Sequence, residues 1–210
     1  MKNNLKLCLI THQQEQDLFQ YLEFISKAIL GGVTMLQLRD KSKSLEELKF
    51  IAIELQKITQ RHNIPLIIND HVQLALEIDA DGVHLGKDDI PISVARSLLG
   101  PTKIIGISID NIEDLDKANI LEGNYYIAVS SVFRSDTKLD CSKIWGLKGL
   151  QQIVSRSIHP VVAIGNINQT NVKDVMKHGA KGVAIISAIH NNNPYESAQA
   201  ILSLVEKEYV

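Results

Sequence analysis

Short apolar runs alternate with amphipathic stretches along this chain. The runs cover 5–10, 34–38, 65–68, 82–85, 103–107, 125–129, 160–164 and 181–186. Each is four to six residues long and rich in Val, Ile and Leu. That is the profile of a strand buried on both faces, not of one alternating between core and water. Between the runs, apolar residues recur at three- and four-residue spacing, as in Leu45, Leu48, Ile51, Ala52 and Leu55, which reads as an amphipathic helix. Strict strand-helix alternation predicts a parallel sheet. Eight rounds of it predict an α/β fold closed into a (β/α)8 TIM barrel, one domain over 1–210, with its reactive groups in the loops after the strands. An open doubly wound sheet is the competing architecture, because 210 residues is short for a barrel. Both architectures put ligands at the carboxyl ends of the strands.

Helix punctuation supports the layout. Ser44 precedes LEELKF with Glu47 three residues on, a capping box opening the second helix. Pro91 fits the first turn of a helix that Gly100-Pro101 ends. Gly31-Gly32, Gly123 and Gly179 mark helix exits where the chain needs a positive φ.

Composition narrows the function classes. A hydrophobic fraction of 45% is enough to fill a barrel and the layer beneath its helices. With a net charge of −2 and no dense Lys/Arg block, the chain lacks the electrostatic footprint of a nucleic-acid binder. Cys8 and Cys141 are too few for a disulfide framework and are not spaced as zinc ligands, so they read as free thiols in a reducing compartment. No segment reads as a signal peptide or a membrane span, and the expectation is a soluble cytoplasmic protein.

The strand ends carry the chemistry. Alternation turns Gln37, Arg39 and Lys41 one way and Leu38 and Asp40 the other. Two cations and an amide at a barrel mouth suit a polyanion, gripped by the forked guanidinium and the mobile ammonium. Asn69-Asp70 ends the third run, and Gly86-Lys87-Asp88-Asp89 follows the fourth. Asp70 with Asp88 or Asp89 could share a Mg²⁺ that takes its other ligands from water and a substrate phosphate. The alternative is that Asp70 and Asp89 cap the helices that follow them. Ser108 ends the fifth run, and 135–140 form a polar loop after the sixth. Gly165-Asn166 and Ile186-Ser187 follow the last two, where barrels hold phosphate on backbone N–H groups. His84, inside GVHLG, reads as a satisfied core residue. There is no nucleophile elbow and no G-x-G-x-x-G, so covalent catalysis and hydride transfer are not expected. The residues point to an enzyme that joins or rearranges phosphorylated small molecules.

The series VTMLQLRDK, PLIINDHVQLAL, ADGVHLGKDD, IIGISI, SDTKLD, PVVAIGNI and GAKGVAIISAI, in this order over roughly 30–190, resembles the thiamine-phosphate synthase family. The resemblance implies a transferase of thiamine biosynthesis that joins a pyrimidine diphosphate, 4-amino-5-hydroxymethyl-2-methylpyrimidine diphosphate, to a thiazole phosphate, commonly its carboxylated form, and releases diphosphate. It implies that Gln37, Arg39, Lys41, Asn69, Ser108 and Lys138 hold the pyrimidine diphosphate, with Leu38 and Asp40 in the same segment. Arg39, Lys41, Ser108 and Lys138 are the implied catalytic groups, and Asp70 and Asp89 the implied Mg²⁺ ligands. Ser135, Asp136 and Thr137, with Gly165, Asn166, Ile186 and Ser187, are implied to hold the thiazole phosphate. The chain departs from the family pattern in three places: Asn166 stands for a second Gly, Ser130-Ser131 for Gly-Pro, and Lys87 for Gln. Small molecules are the expected partners, and barrels of this type can pair as homo-oligomers. The related thiazole tautomerase and a silent phosphate-binding barrel are the rival readings. The tautomerase has no need of the joint set of Arg39, Lys41, Asn69, Asp70, Asp89 and Lys138.

Overall fold

A computed structural model describes residues 2–12, 17–134, 143–190 and 193–207. Its eight strands are β1 (Leu7–Ile10), β2 (Met35–Leu38), β3 (Leu66–Asn69), β4 (Gly82–Leu85), β5 (Ile104–Ile109), β6 (Tyr125–Ser130), β7 (Val161–Ile164) and β8 (Gly182–Ile185). Each pairs in parallel with the next, and β8 pairs with β1 through Cys8 and Ala184, which closes the barrel and excludes the open sheet. The helices are α1 (Leu18–Leu30), α2 (Leu45–Arg61), α3 (Val72–Glu77), α4 (Ile92–Leu99), α5 (Ile112–Asn119), α6 (Gly146–Arg156), α7 (Val172–Lys177) and α8 (Pro194–Val205). Short 3-10 turns cover Lys2–Leu5 and Ser187–Ile189. Leu5, expected in the first strand, belongs to the first of these turns. β5 and β6 run past their apolar runs to Ile109 and Ser130. A polar side chain aimed into the barrel mouth does not interrupt backbone pairing, so Ser108 stays in the ladder opposite Ala128.

Strand alternation builds two cores. Outward residues such as Leu36, Leu66, Val83, Ile105, Ile127 and Val183 pack beneath the helices with Leu48, Ala52 and Leu55 of α2. Burying each large aliphatic side chain there stabilises the fold by roughly 1.5–3 kcal/mol. Inward residues Leu5, Cys8, Ile10, Met35, Ile67, Ile104, Tyr126, Ala128, Val162 and Ala184 fill the barrel itself. Above them the inward positions turn polar. Register sets Gln37 beside Ile67, Asn69 beside His84, and His84 beside Gly106.

The capping box of α2 forms as expected. The Ser44 N–H donates to Glu47 Oε2 at 2.8 Å and the Glu47 N–H donates to Ser44 Oγ at 3.3 Å. The Ser44 hydroxyl, at 2.7 Å, and the Ser44 N–H both donate to the Glu47 carboxylate and lower its pKa. Pro91 is the residue just before α4, not its first helical residue. Gly32, Gly100, Gly123 and Gly179 have positive φ, but Gly31 does not; a side chain there would collide with the Tyr195 carbonyl. Among the described residues, no helix is long and apolar enough to cross a membrane.

Candidate active site

A cavity of about 190 Å³ opens at the carboxyl ends of the strands. Gln37, Arg39 and Lys41 reach it from β2 and the loop behind it, Asn69 and Asp70 from the end of β3, His84, Lys87, Asp88 and Asp89 from β4 and its loop, and Ser108 from β5. Cys8, Met35, Tyr126 and Ala128 form its floor. Burial pushes the Cys8 thiol up to about 12, so at neutral pH it is a protonated, apolar part of that floor.

The Arg39 backbone is pinned across the first loop. Its N–H donates to Thr11 Oγ1 at 2.8 Å, and the same hydroxyl donates to the Arg39 carbonyl at 3.2 Å. Thr11 is 2% exposed, so this pair is protected from water. No local pattern marks Thr11, because its partner lies 28 residues away. Leu38 and Asp40, named with this segment as substrate contacts, do not line the mouth. Alternation turns them toward an outer groove that they share with Tyr21 and Phe50. The Asp40 carboxylate accepts from the Ser42 N–H at 2.9 Å and the Ser42 hydroxyl at 2.7 Å, which shapes the turn before α2.

Asp70 and Asp89 lie together at the cavity mouth, close enough for each carboxylate to feel the other. Burial pushes the Asp70 carboxyl up and the facing Asp89 adds to this, while Lys41 and Arg39 pull it down. Neither aspartate caps a helix: α3 and α4 start without side-chain caps. Instead Asp89 Oδ2 accepts from the Gly86 N–H at 2.7 Å, folding the loop so that its carboxylate points to Asp70. Asp70 has φ of 63°, a conformation Asp tolerates better than most residues, and its N–H donates to the His84 carbonyl at 2.9 Å. Asp88 lies on the same rim beside Lys87, which pairs with Asp110 at 3.3 Å. The Asp110 carboxylate raises the Lys87 ammonium.

Two facing carboxylates repel when both are ionised, and only a shared proton or a cation relieves this. Among the described residues no group of three His, Cys, Asp or Glu side chains forms a metal cage. A pair of hard oxygen donors beside cationic side chains instead fits Mg²⁺, which binds through one or two carboxylates and completes its shell with phosphate and water.

His84 is not a core residue. It is half-buried, lines the mouth, and bridges Tyr126 OH through Nδ1 at 2.9 Å and Ser108 Oγ through Nε2 at 2.9 Å. Gln37 bonds the same tyrosine, whose phenol burial pushes well up. A polar chain thus runs Gln37, Tyr126, His84, Ser108 across four strands. Gly106 makes room for it, since a Cβ there would overlap the Tyr126 ring and His84 Nδ1. In sequence, the signal was GVHLG in register with IIGIS, which becomes legible only once β4 and β5 are paired.

On the opposite rim, Ser130, Ser131, Gly165, Asn166, Ile186 and Ser187 surround a hollow of about 20 Å³. Gly165 and Asn166 have φ of 112° and 47°. This tight left-handed turn is one that Asn can follow Gly into. Ser135, Asp136, Thr137 and Lys138, and with them Cys141, lie outside the described residues.

A family model described as thiamine monophosphate synthase matches residues 7–189. The chain is 42% identical over 205 residues to a thiamine-phosphate synthase of Vibrio parahaemolyticus, covering 97% of this chain and all (100%) of that one. It is 41% identical over 203 residues to a thiamine-phosphate synthase of Clostridium novyi, covering 97% and 99%. The solved thiamine phosphate pyrophosphorylase from Pyrococcus furiosus has the same fold, with a TM-score of 0.87 at 34% identity over 98% of this chain and 97% of that one. With a closed barrel whose mouth presents cations, a carboxylate pair and a left-handed Gly165–Asn166 turn, this chain belongs to the thiamine monophosphate synthase family.

Proposed function

We propose that this barrel mouth condenses 4-amino-5-hydroxymethyl-2-methylpyrimidine diphosphate with a thiazole phosphate, forming thiamine phosphate and releasing diphosphate. The observation that carries the residue assignment is the convergence of Arg39 and Lys41 on the Asp70–Asp89 pair within one cavity. Gln37 and Ser108 hold the pyrimidine ring, each tied to the chain through Tyr126 and His84. A neutral imidazole donates through one ring nitrogen and accepts through the other, so the bond to Tyr126 sets which way the Ser108 hydroxyl points. Asn69, Arg39 and Lys41 hold the diphosphate. Asp70 and Asp89 would hold Mg²⁺, which when bound would neutralise charge on the diphosphate.

The C–O bond breaks with its electron pair leaving on diphosphate. Arg39 and Lys41 stabilise the charge that grows there. The pyrimidine ring stabilises the methylene cation, and the thiazole nitrogen captures it with its lone pair. No protein nucleophile is needed, in keeping with a cavity whose only thiol, among the described residues, is the protonated Cys8. The Gly165–Asn166 turn and the Ile186-Ser187 backbone hold the thiazole phosphate.

Incubation of the protein with both precursors and Mg²⁺ tests this reading. Thiamine phosphate and diphosphate should appear in equal amounts. Asp70→Asn, which keeps a residue tolerant of the left-handed backbone, should lower turnover at least a hundredfold with an unchanged circular dichroism spectrum. No product from the unaltered chain would overturn the function, and full activity in Asp70→Asn would remove Asp70 from the metal role.

A further inference from the structure

Ser131 follows β6 directly and is 1% exposed. Its hydroxyl has no hydrogen-bond partner among the described residues. A buried hydroxyl left unpaired is a cost to the fold unless something arrives to meet it. The backbone on either side of it is well tied. The Ser131 carbonyl accepts from the Trp145 N–H at 2.9 Å, and the Val132 N–H donates to the Ile164 carbonyl at 2.8 Å.

The hydroxyl's direction is fixed by its neighbour. A Cβ on Gly165 would fall on Ser131 Oγ, so the oxygen lies under the Gly165–Asn166 turn. The N–H groups of Asn166 and Ile167 donate to no described acceptor. Ser131, Asn166 and Ile167 all line the hollow of about 20 Å³, which is room for one small polar atom group. Among the described residues, no cationic side chain lines it. A site of neutral donors on a left-handed turn suits a phosphate oxygen.

We propose that Ser131 Oγ donates a hydrogen bond to a terminal oxygen of the thiazole monophosphate seated on the Gly165–Asn166 turn, making Ser131 a determinant of selectivity for the phosphorylated thiazole. This rests on the function proposed above. The hydroxyl adds a buried donor against Gly165, whereas the Asn166 side chain is exposed. Gly165 is what lets the hydroxyl come so close.

Ser131→Ala tests the assignment. The KM for the thiazole phosphate should rise about tenfold, the scale of one hydrogen bond to a charged group. The KM for the pyrimidine diphosphate and kcat at saturating thiazole phosphate should not change. The ligand-free variant should melt no lower than the unaltered protein, because no bond is lost. An unchanged KM for the thiazole phosphate would overturn the proposal and leave a buried water as the hydroxyl's partner. A lower melting temperature with both KM values raised would overturn it in favour of a structural role. Calorimetric binding of the thiazole phosphate to both proteins separates this from the function itself. If the unaltered chain binds it but makes no product, the function fails while the tenfold difference in affinity still decides for or against Ser131.

Discussion

Single residues decide the shape of this mouth where two elements approach too closely for a side chain. Gly106 is the clearest case, since its missing Cβ is the space in which Tyr126 and His84 meet. Gly106→Ala should push the tyrosine and histidine apart. Overpacking of this kind costs about 1–3 kcal/mol, to be read as a lower urea midpoint with unchanged slope. The KM for the pyrimidine diphosphate should rise with it, because Ser108 and Gln37 lose their common tether. An unaltered midpoint and KM would show that the polar chain is not held by this contact. His84 was misread from sequence for the same reason that Gly106 matters. An imidazole among Val, Leu and Gly looks like core until the register sets Gly106 beside it and Ser108 two residues on. Thr11 escaped notice likewise, its role existing only once β1 and β2 bring it to Arg39. The charged residues were easier. Arg39, Lys41, Asp70 and Asp89 sit at the ends of apolar runs, where burial makes an ionisable side chain expensive without a task.

At the scale of elements, local signals were legible and inward-facing polarity was not. The capping box of α2 depends on residues three apart, and it forms as the sequence implies. It also anchors the loop carrying Arg39 and Lys41, because the Asp40–Ser42 turn runs straight into Ser44. Ser44→Ala removes the acceptor for the Glu47 N–H and should cost about 1 kcal/mol. Thermal unfolding should detect this, with faster amide exchange at the first turn of α2 and a severalfold weaker grip on diphosphate. Loss of stability with unchanged diphosphate binding would mean that the loop holds its shape without the helix start. The ends of β5 and β6 could not be read the same way. Ser130 looks like a loop residue by composition, yet it extends β6, and β5 continues past Ser108 to Ile109, because a barrel's inner face turns polar at its mouth. The exposed Leu45 shows the converse, an apolar residue in helical register that lies too close to the helix start to reach the core.

For the whole molecule, eight local strand-helix units predicted the architecture, but closure depends on β1 meeting β8, a pairing of 8 with 184 that no local pattern contains. Closure is also what makes one site from separate loops, since cations after β2 and carboxylates after β3 and β4 share a centre only on a curved sheet. The site's charge arrangement predicts how ligands should act on global stability. Mg²⁺ alone meets two carboxylates and few other protein donors, and diphosphate alone meets Arg39 and Lys41 but also the repulsion of Asp70 and Asp89. Each ligand supplies what the other lacks. Together they should raise the melting temperature by more than the sum of their separate shifts. Saturation at a hundred times the dissociation constant contributes about 2.7 kcal/mol, or roughly 5–11 °C for a chain of this size. Because Mg²⁺ and diphosphate also associate in free solution, synergy in the unaltered protein does not by itself locate the ion. Asp70→Asn provides the control: it should keep a shift from diphosphate alone, enlarged by loss of the repelling charge, and lose the extra increment that Mg²⁺ adds. Equal increments in the two proteins would place the cation away from the aspartate pair and leave the diphosphate to Asn69, Arg39 and Lys41.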